Sequence, residues 1–178
     1  MKQKIRDYSN SGLTIQQAMV DHVKRRAKQS QLTDTILWNG FRIKTSDVFQ
    51  VPEKGIVIGE FLSAKPLIEQ GFDIEIDNGW LRLMNGEQIS HLRTWKDECY
   101  EDTVEYPFFS ADRRLWVWNV YKMIYPGGQV IEEKWTENAG FWVEELAEFE
   151  RIYHCSHGMA YPPDFESLVF KIAIHDRE

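Results

Sequence analysis

One stretch constrains this chain more than any other: Arg113 to Val143, reading RRLWVWNVYKMIYPGGQVIEEKWTENAGFWV. It holds four of the seven tryptophans and the densest apolar-aromatic run in the sequence. Leu115 to Tyr125 is rich in Trp, Val and Tyr, which pack well on a pleated, half-buried surface. Tyr125-Pro126-Gly127-Gly128-Gln129 supplies a turn, with proline presetting one dihedral and glycine accepting positive φ. The spacing predicts a hairpin in which Tyr125 faces Val130, Ile124 faces Ile131, Lys122 faces Glu133 and Val120 faces Trp135. That register sets apolar against apolar and charge against opposite charge. Val117, Tyr121 and Met123 make the other face apolar too, so the strand is expected to be central and covered on both sides.

Other segments read as strands by the same period of two. Ile36-Leu37-Trp38 and Phe41-Arg42-Ile43 flank Asn39-Gly40, a strong two-residue hairpin signal that pairs Trp38 with Phe41 and Ile36 with Ile43. Residues 45–55 read as a loop, Gly55 to Leu62 as a strand, and Ala64 to Gln70 as a short helix. Phe72 to Leu83 is expected to form a hairpin turning at Asn78-Gly79, with Ile76 opposite Leu81. At Asn85-Gly86 a three-residue loop with Gly86 left-handed is preferred, placing Leu83 against Ile89. Gly140 to Glu145, Arg151 to Cys155 and an alternating run from Leu168 to Ile174 complete the set. Before these strands, Thr14-Ile15-Gln16-Gln17 fits a capping box, and Ile15, Met19, His22, Val23 and Arg26 recur at helical spacing over 15–29.

The pattern therefore predicts an α+β fold: a mostly antiparallel, curved sheet of eight to eleven strands in meander order, with one N-terminal amphipathic helix packed on it. Barrel-like closure is an open alternative. With 178 residues, the chain is read as one globular domain, comprising a basic helical arm (1–30) and a β-rich body (31–178). The C-terminal strand reads as an apolar edge, which predicts a homodimer.

Charge divides along the same boundary. Residues 1–30 carry seven basic and two acidic side chains, whereas the rest carries 14 basic and 26 acidic. The arm is expected to pack on an acidic surface. Its basic run is short and without interleaved aromatics, so nucleic acid is not expected as a partner. No run approaches the ~20 apolar residues of a membrane span, and the first residues lack a signal-peptide core. Two cysteines, Cys99 and Cys155, are too few for a disulfide framework. A cytoplasmic protein without membrane attachment is the expectation.

Chemistry is sparsely signalled. His154-Cys155-Ser156-His157, followed by Asp164, contains metal-ligating types. On an extended strand, however, His154 and His157 point to opposite faces about 10 Å apart, so they stay weak candidates. Cys155 reads as a buried, inert thiol rather than a nucleophile. The acidic run at 97–105 and Glu132-Glu133 could offer a surface to a basic protein. Phosphate-cradling and nucleophile-elbow patterns are absent, and no cofactor is expected. The strongest pointer is aromatic. Trp116 and Trp118 share one strand face, the expected register adds Trp135, and Tyr121 and Trp142 could lie nearby. A concavity lined by these five suits a small apolar or cationic ligand. The sequence thus points to a non-catalytic small-molecule-binding protein. An inhibitor- or immunity-type interaction module is the alternative, and an enzyme or metal site at His154–Asp164 comes third.

Overall fold

Alternation of period two resolves into fourteen strands among the residues that the computed structural model describes, 5–26 and 34–176. A single α-helix, α1 (Ile15–Arg26), precedes them. Three short strands follow it, β1 (Ile36–Trp38), β2 (Phe41–Ile43) and β3 (Asp47–Gln50). The middle of the chain forms β4 (Lys54–Ala64), β5 (Gln70–Ile76), β6 (Gly79–Arg82), β7 (Gln88–Ile89), β8 (His91–Trp95) and β9 (Thr103–Ser110). The last five are β10 (Arg114–Ile124), β11 (Val130–Glu133), β12 (Gly140–Ala147), β13 (Glu150–Ser156) and β14 (Leu168–Asp176).

These strands form two open antiparallel sheets and a two-stranded ribbon, so the fold is α+β without closing into a barrel. The larger sheet runs β12-β13-β14-β4-β9-β6-β7. The smaller runs β11-β10-β5-β8, with β3 pairing beside the first half of β10. The order is not a meander, because β14 returns to lie between β13 and β4. The C-terminal strand is therefore interior, and the apolar edge that motivated a homodimer does not exist. Residues 65–69 form turns rather than a helix, and Asp47–Gln50, expected in a loop, is a strand.

Turn chemistry explains which registers came out as expected. Asn39 and Gly40 both take positive φ (49° and 79°), and the β1–β2 ribbon pairs Trp38 with Phe41 and Ile36 with Ile43. At Pro126, by contrast, Gly127 and Gly128 are both left-handed, and Tyr125 N–H bonds to Gln129 C=O. The strands consequently pair one residue away from expectation, with Ile124 opposite Val130, Lys122 opposite Glu132 and Tyr121 opposite Glu133. Val120 does not meet Trp135. Asn78-Gly79 is not a hairpin turn either. It is a corner at which the chain leaves β5 in the small sheet for β6 in the large one. Gly86 is left-handed and the loop has three residues, Met84–Gly86, both as expected, but Leu83 bonds to Glu87 and Ile89 pairs with Leu81.

One core fills the space between the sheets. Phe72, Ile74 and Ile76 on β5 alternate inward, as do Leu115 and Val117 on β10. Phe72 crosses to the large sheet, where its ring lies 5.1 Å from Phe61 and 4.8 Å from Phe170. Asp47 ties the layers from the side, accepting hydrogen bonds from Lys44 Nζ, Arg151 Nη1 and Tyr153 OH at 2.8, 2.8 and 2.9 Å. A smaller core joins the helix to the ribbon through Tyr8, Ile15, Ala18, Ile36, Trp38 and Ile43. The helix is capped as predicted: Gln17 N–H donates to Thr14 Oγ1 and Thr14 N–H to Gln17 Oε1. Residues 27–29 of the expected helix, and Lys2, Lys4 and Lys28 of the basic arm, lie outside the described residues. Arg6 and Arg25 pair with Asp21 inside the arm, not with the body. Among the described residues, no helix is long and apolar enough to cross a membrane.

Glycine 59 faces Phe72, and a Cβ there would lie 2.5 Å from Phe72 Cζ, inside a core with no slack. Gly59→Ala is expected to destabilise by about 1–3 kcal/mol through overpacking, read as a lower urea midpoint. An unchanged midpoint would mean that the two sheets do not meet at this point.

Candidate functional site

The outer face of the small sheet carries the polar chemistry. Because side chains alternate along a strand, the inward set Phe72, Ile74, Ile76 leaves Asp73 and Glu75 on the opposite face. Register then decides their neighbours. Across from Asp73 stand Arg93 of β8 on one side and Trp118 of β10 on the other. Glu75 is likewise flanked by His91 and Trp116.

Asp73 is fully buried, yet its carboxylate is closely surrounded by donors. Arg93 binds it in a two-pronged fashion, Nε to Oδ1 and Nη2 to Oδ2, both at 2.8 Å. Trp118 Nε1 donates to Oδ2 at 3.0 Å, and His91 Nε2 lies 3.0 Å from the same oxygen. Lys134 Nζ is 3.6 Å away. Burial pushes the carboxyl up, but hydrogen bonds from Arg93 and His91 more than offset it, so Asp73 titrates below its ordinary 3.8. The same pair raises the Arg93 guanidinium further above its ordinary value.

Beside this carboxylate lies a cavity of about 410 Å³ lined by Trp116, Trp118, Trp135, Glu75, Asp77 and Ser46. Trp116 is oriented by its Nε1–H, which donates to Asp77 Oδ2 at 2.8 Å. Trp135 is half-exposed, and its ring centroid lies 6.0 Å from that of Trp118. It arrives there not by strand pairing but from a turn after β11, at φ 66°. That turn is clamped. Thr136 bonds to Tyr121 OH, Glu137 C=O accepts from Gln16 N–H, and Asn138 Oδ1 accepts from Ile15 N–H at the start of α1. Among the described residues, nothing hydrogen-bonds or ion-pairs with the Glu75 carboxylate. Ser46 and Trp116 also border a second cavity, of about 540 Å³, that reaches Met19 and Val23 of the helix.

Three of the five aromatic residues expected at a binding site, Trp116, Trp118 and Trp135, thus come together. Tyr121 sits on the opposite face of β10, fully buried, with its phenol pushed up to about 12 by burial despite hydrogen bonds to Thr136. Trp142 belongs to the large sheet, stacked between Phe41 (4.9 Å) and His154 (3.8 Å). Asp73, Glu75, Asp77 and Lys134 were not anticipated. The legible signal was a carboxylate inside the apolar run Phe72-Asp73-Ile74, where a lone charge must find partners on the neighbouring strands.

The His154 segment is differently arranged. His154 stands between Glu144 (3.1 Å) and Glu166 (3.2 Å), whereas Asp164 pairs with Lys65. His157 Nδ1 accepts Met159 N–H, and burial pulls its pKa down. Among the described residues, no group of three His, Cys, Asp or Glu could hold a metal ion. Cys155 is wholly buried, which raises its thiol well above the ordinary value. Of the expected acidic surface, Glu132 pairs with Arg93, Glu133 accepts from Tyr125 and Thr136, and Asp102 pairs with Lys96. Compared with protein-family models, curated proteins and solved structures, the chain matches none, so function is read from the chemistry of the site alone.

Asp73→Asn removes the charge and replaces one of the two acceptor oxygens with an amide donor that faces the donors of Arg93 and Trp118. Asp73→Asn is expected to cost roughly 3 kcal/mol in urea unfolding at neutral pH. Because the folded carboxyl titrates below 3.8, its contribution is fully present above that value and is lost as pH falls through the lowered folded pKa. The difference between wild type and Asp73→Asn should therefore shrink on acidification below 3.8; a difference independent of pH would contradict the assignment.

Proposed function

We propose that this chain is a non-catalytic binding protein for a small organic cation with a flat apolar body. The observation that carries the reading is the 410 Å³ cavity, in which three indoles meet the carboxylates of Glu75 and Asp77. Its volume is in the range of small-ligand clefts. Indole faces attract cations through their quadrupole and cover flat apolar surface at the same time. Carboxylates at the wall add Coulomb attraction, and Glu75, which has no partner among the described residues, is available to give it. An anion would meet repulsion from both acids. A neutral apolar ligand would leave Glu75 desolvated and unpaired, which costs affinity.

Calorimetric titration with N-methylquinolinium tests this. We expect one-to-one binding, weakened about tenfold by Glu75→Gln, the equivalent of about 1.4 kcal/mol. A neutral quinoline of the same shape, kept unprotonated at pH 8, should bind more weakly than the cation. No heat from the cation, or equal affinity for both compounds, would end the proposal.

A second reading has one observation in its favour. Tyr100 is fully exposed within the acidic segment Asp97–Asp102, an arrangement that suits a basic protein partner. That docking would be salt-sensitive and lost in Tyr100→Ala, while leaving N-methylquinolinium binding intact.

A further inference from the structure

Two of the indoles that line the cavity, Trp118 and Trp135, already hold a cation. Lys134 Nζ lies 4.1 Å from the Trp118 ring centroid and 4.6 Å from that of Trp135, in the corner that the two indoles make. Beneath it, Asp73 Oδ2 is 3.6 Å away, which is an ion pair but too long for a hydrogen bond. Among the described residues, the ammonium has no hydrogen-bond acceptor at all. An ammonium carries three N–H donors and is ordinarily placed by acceptors. Here it is placed by two ring faces and a buried charge.

That environment is matched to a different cation. A fully alkylated ammonium has no donors to satisfy, presents apolar methyl groups to the rings, and still feels the carboxylate. Aromatic surroundings of this kind are how quaternary ammonium groups are recognised. We infer that the corner formed by Trp118, Trp135 and Asp73 is a receptor for a quaternary alkylammonium group, and that Lys134 is its tethered, displaceable occupant. The inference rests on the cation-binding reading above and narrows it, naming the ligand's charged group and the residue that gates it.

Tethering sets the size of the effect. A group on a short flexible stem competes at an effective concentration on the order of millimolar. An incoming ligand must displace it, and its apparent affinity falls by the fraction of time that the corner is filled. The side chain of Lys134 has an opening to solvent, being about a quarter exposed, and it follows β11 at the last residue before the left-handed turn at Trp135. Trp135 itself is held by the clamp between Thr136, Glu137 and Asn138 and the rest of the fold, so the corner persists when Lys134 swings out.

The test is calorimetric titration of wild type, Lys134→Met and Lys134→Gln with tetramethylammonium chloride at constant ionic strength. Both variants are expected to bind at least tenfold more tightly than wild type, and Trp135→Ala in the Lys134→Met background should abolish that gain. Equal affinity in wild type and both variants would overturn the inference. So would a gain that survives Trp135→Ala, because removing any positive charge near Asp73 would then account for it. N-methylquinolinium serves as the reference in the same wild-type sample. If it binds while tetramethylammonium does not distinguish the variants, the gating role of Lys134 fails and the cation cavity stands. If neither compound binds any of the proteins, both fall together.

Discussion

A carboxylate that is out of contact with water has to be matched by donors, and the small sheet is arranged around that demand at Asp73. Desolvating the charge costs several kcal/mol, which only well-placed partners offset. Arg93 and Trp118 supply them from the strands on either side, and both reach Asp73 because they are its direct cross-strand neighbours. A slip of one residue in either pairing would send that strand's side chain, Arg93 or Trp118, to the core face. The order β8-β5-β10 and its register are thus specified twice, once by apolar residues facing inward and once by this ion pair facing outward. The interaction also orients the site. With its N–H turned to Asp73, Trp118 offers its ring face to Lys134 and to the cavity.

The inner and outer faces of β5 differ in kind, apolar toward the core and polar toward the candidate site. Phe72 bridges the two sheets through Phe61 and Phe170, and Gly59 leaves the room its ring occupies. One residue on, Asp73 begins the polar face. The helix serves the same site at a distance, because the backbone donors at its start, Ile15 and Gln16, bond to Asn138 and Glu137. An N-terminal helix needs acceptors for those donors. Here they come from the segment that carries Trp135, so the helix cap and the outer wall of the cavity are one structure.

Local signals in the sequence were reliable and distant ones were not. The capping box at Thr14 and the Asn39-Gly40 turn are each complete within a few residues, and both formed as read. The pairing of Trp116 with Trp118 on one face needed only the period of a strand. Failures came where one turn sequence allowed more than one loop length, or where geometry depended on something elsewhere. Two left-handed glycines lengthened the turn after Tyr125, shifting the register by one, and Asn78-Gly79 turned a corner because β6 found β9 instead of β5. The apolar C-terminal strand looked like an edge because its partner, β4, lies about a hundred residues earlier in the chain. For the site, the indoles were visible by type, but the grouping of Asp73, Arg93, Trp118 and Lys134 draws on four separate segments. No spacing rule connects them; only the sheet order does.

The indole N–H resonances give the most direct test of whether a cation binds at the proposed site, since each of the seven tryptophans reports from its own place in the fold. In a proton–nitrogen correlation spectrum recorded during titration with N-methylquinolinium, the signals of Trp116, Trp118 and Trp135 should shift together along one saturable curve. Those of Trp38, Trp80 and Trp142, which lie away from the cavity, should stay in place. Movement confined to Trp142 or to no indole at all would contradict the account and remove the outer face of the small sheet as a binding site.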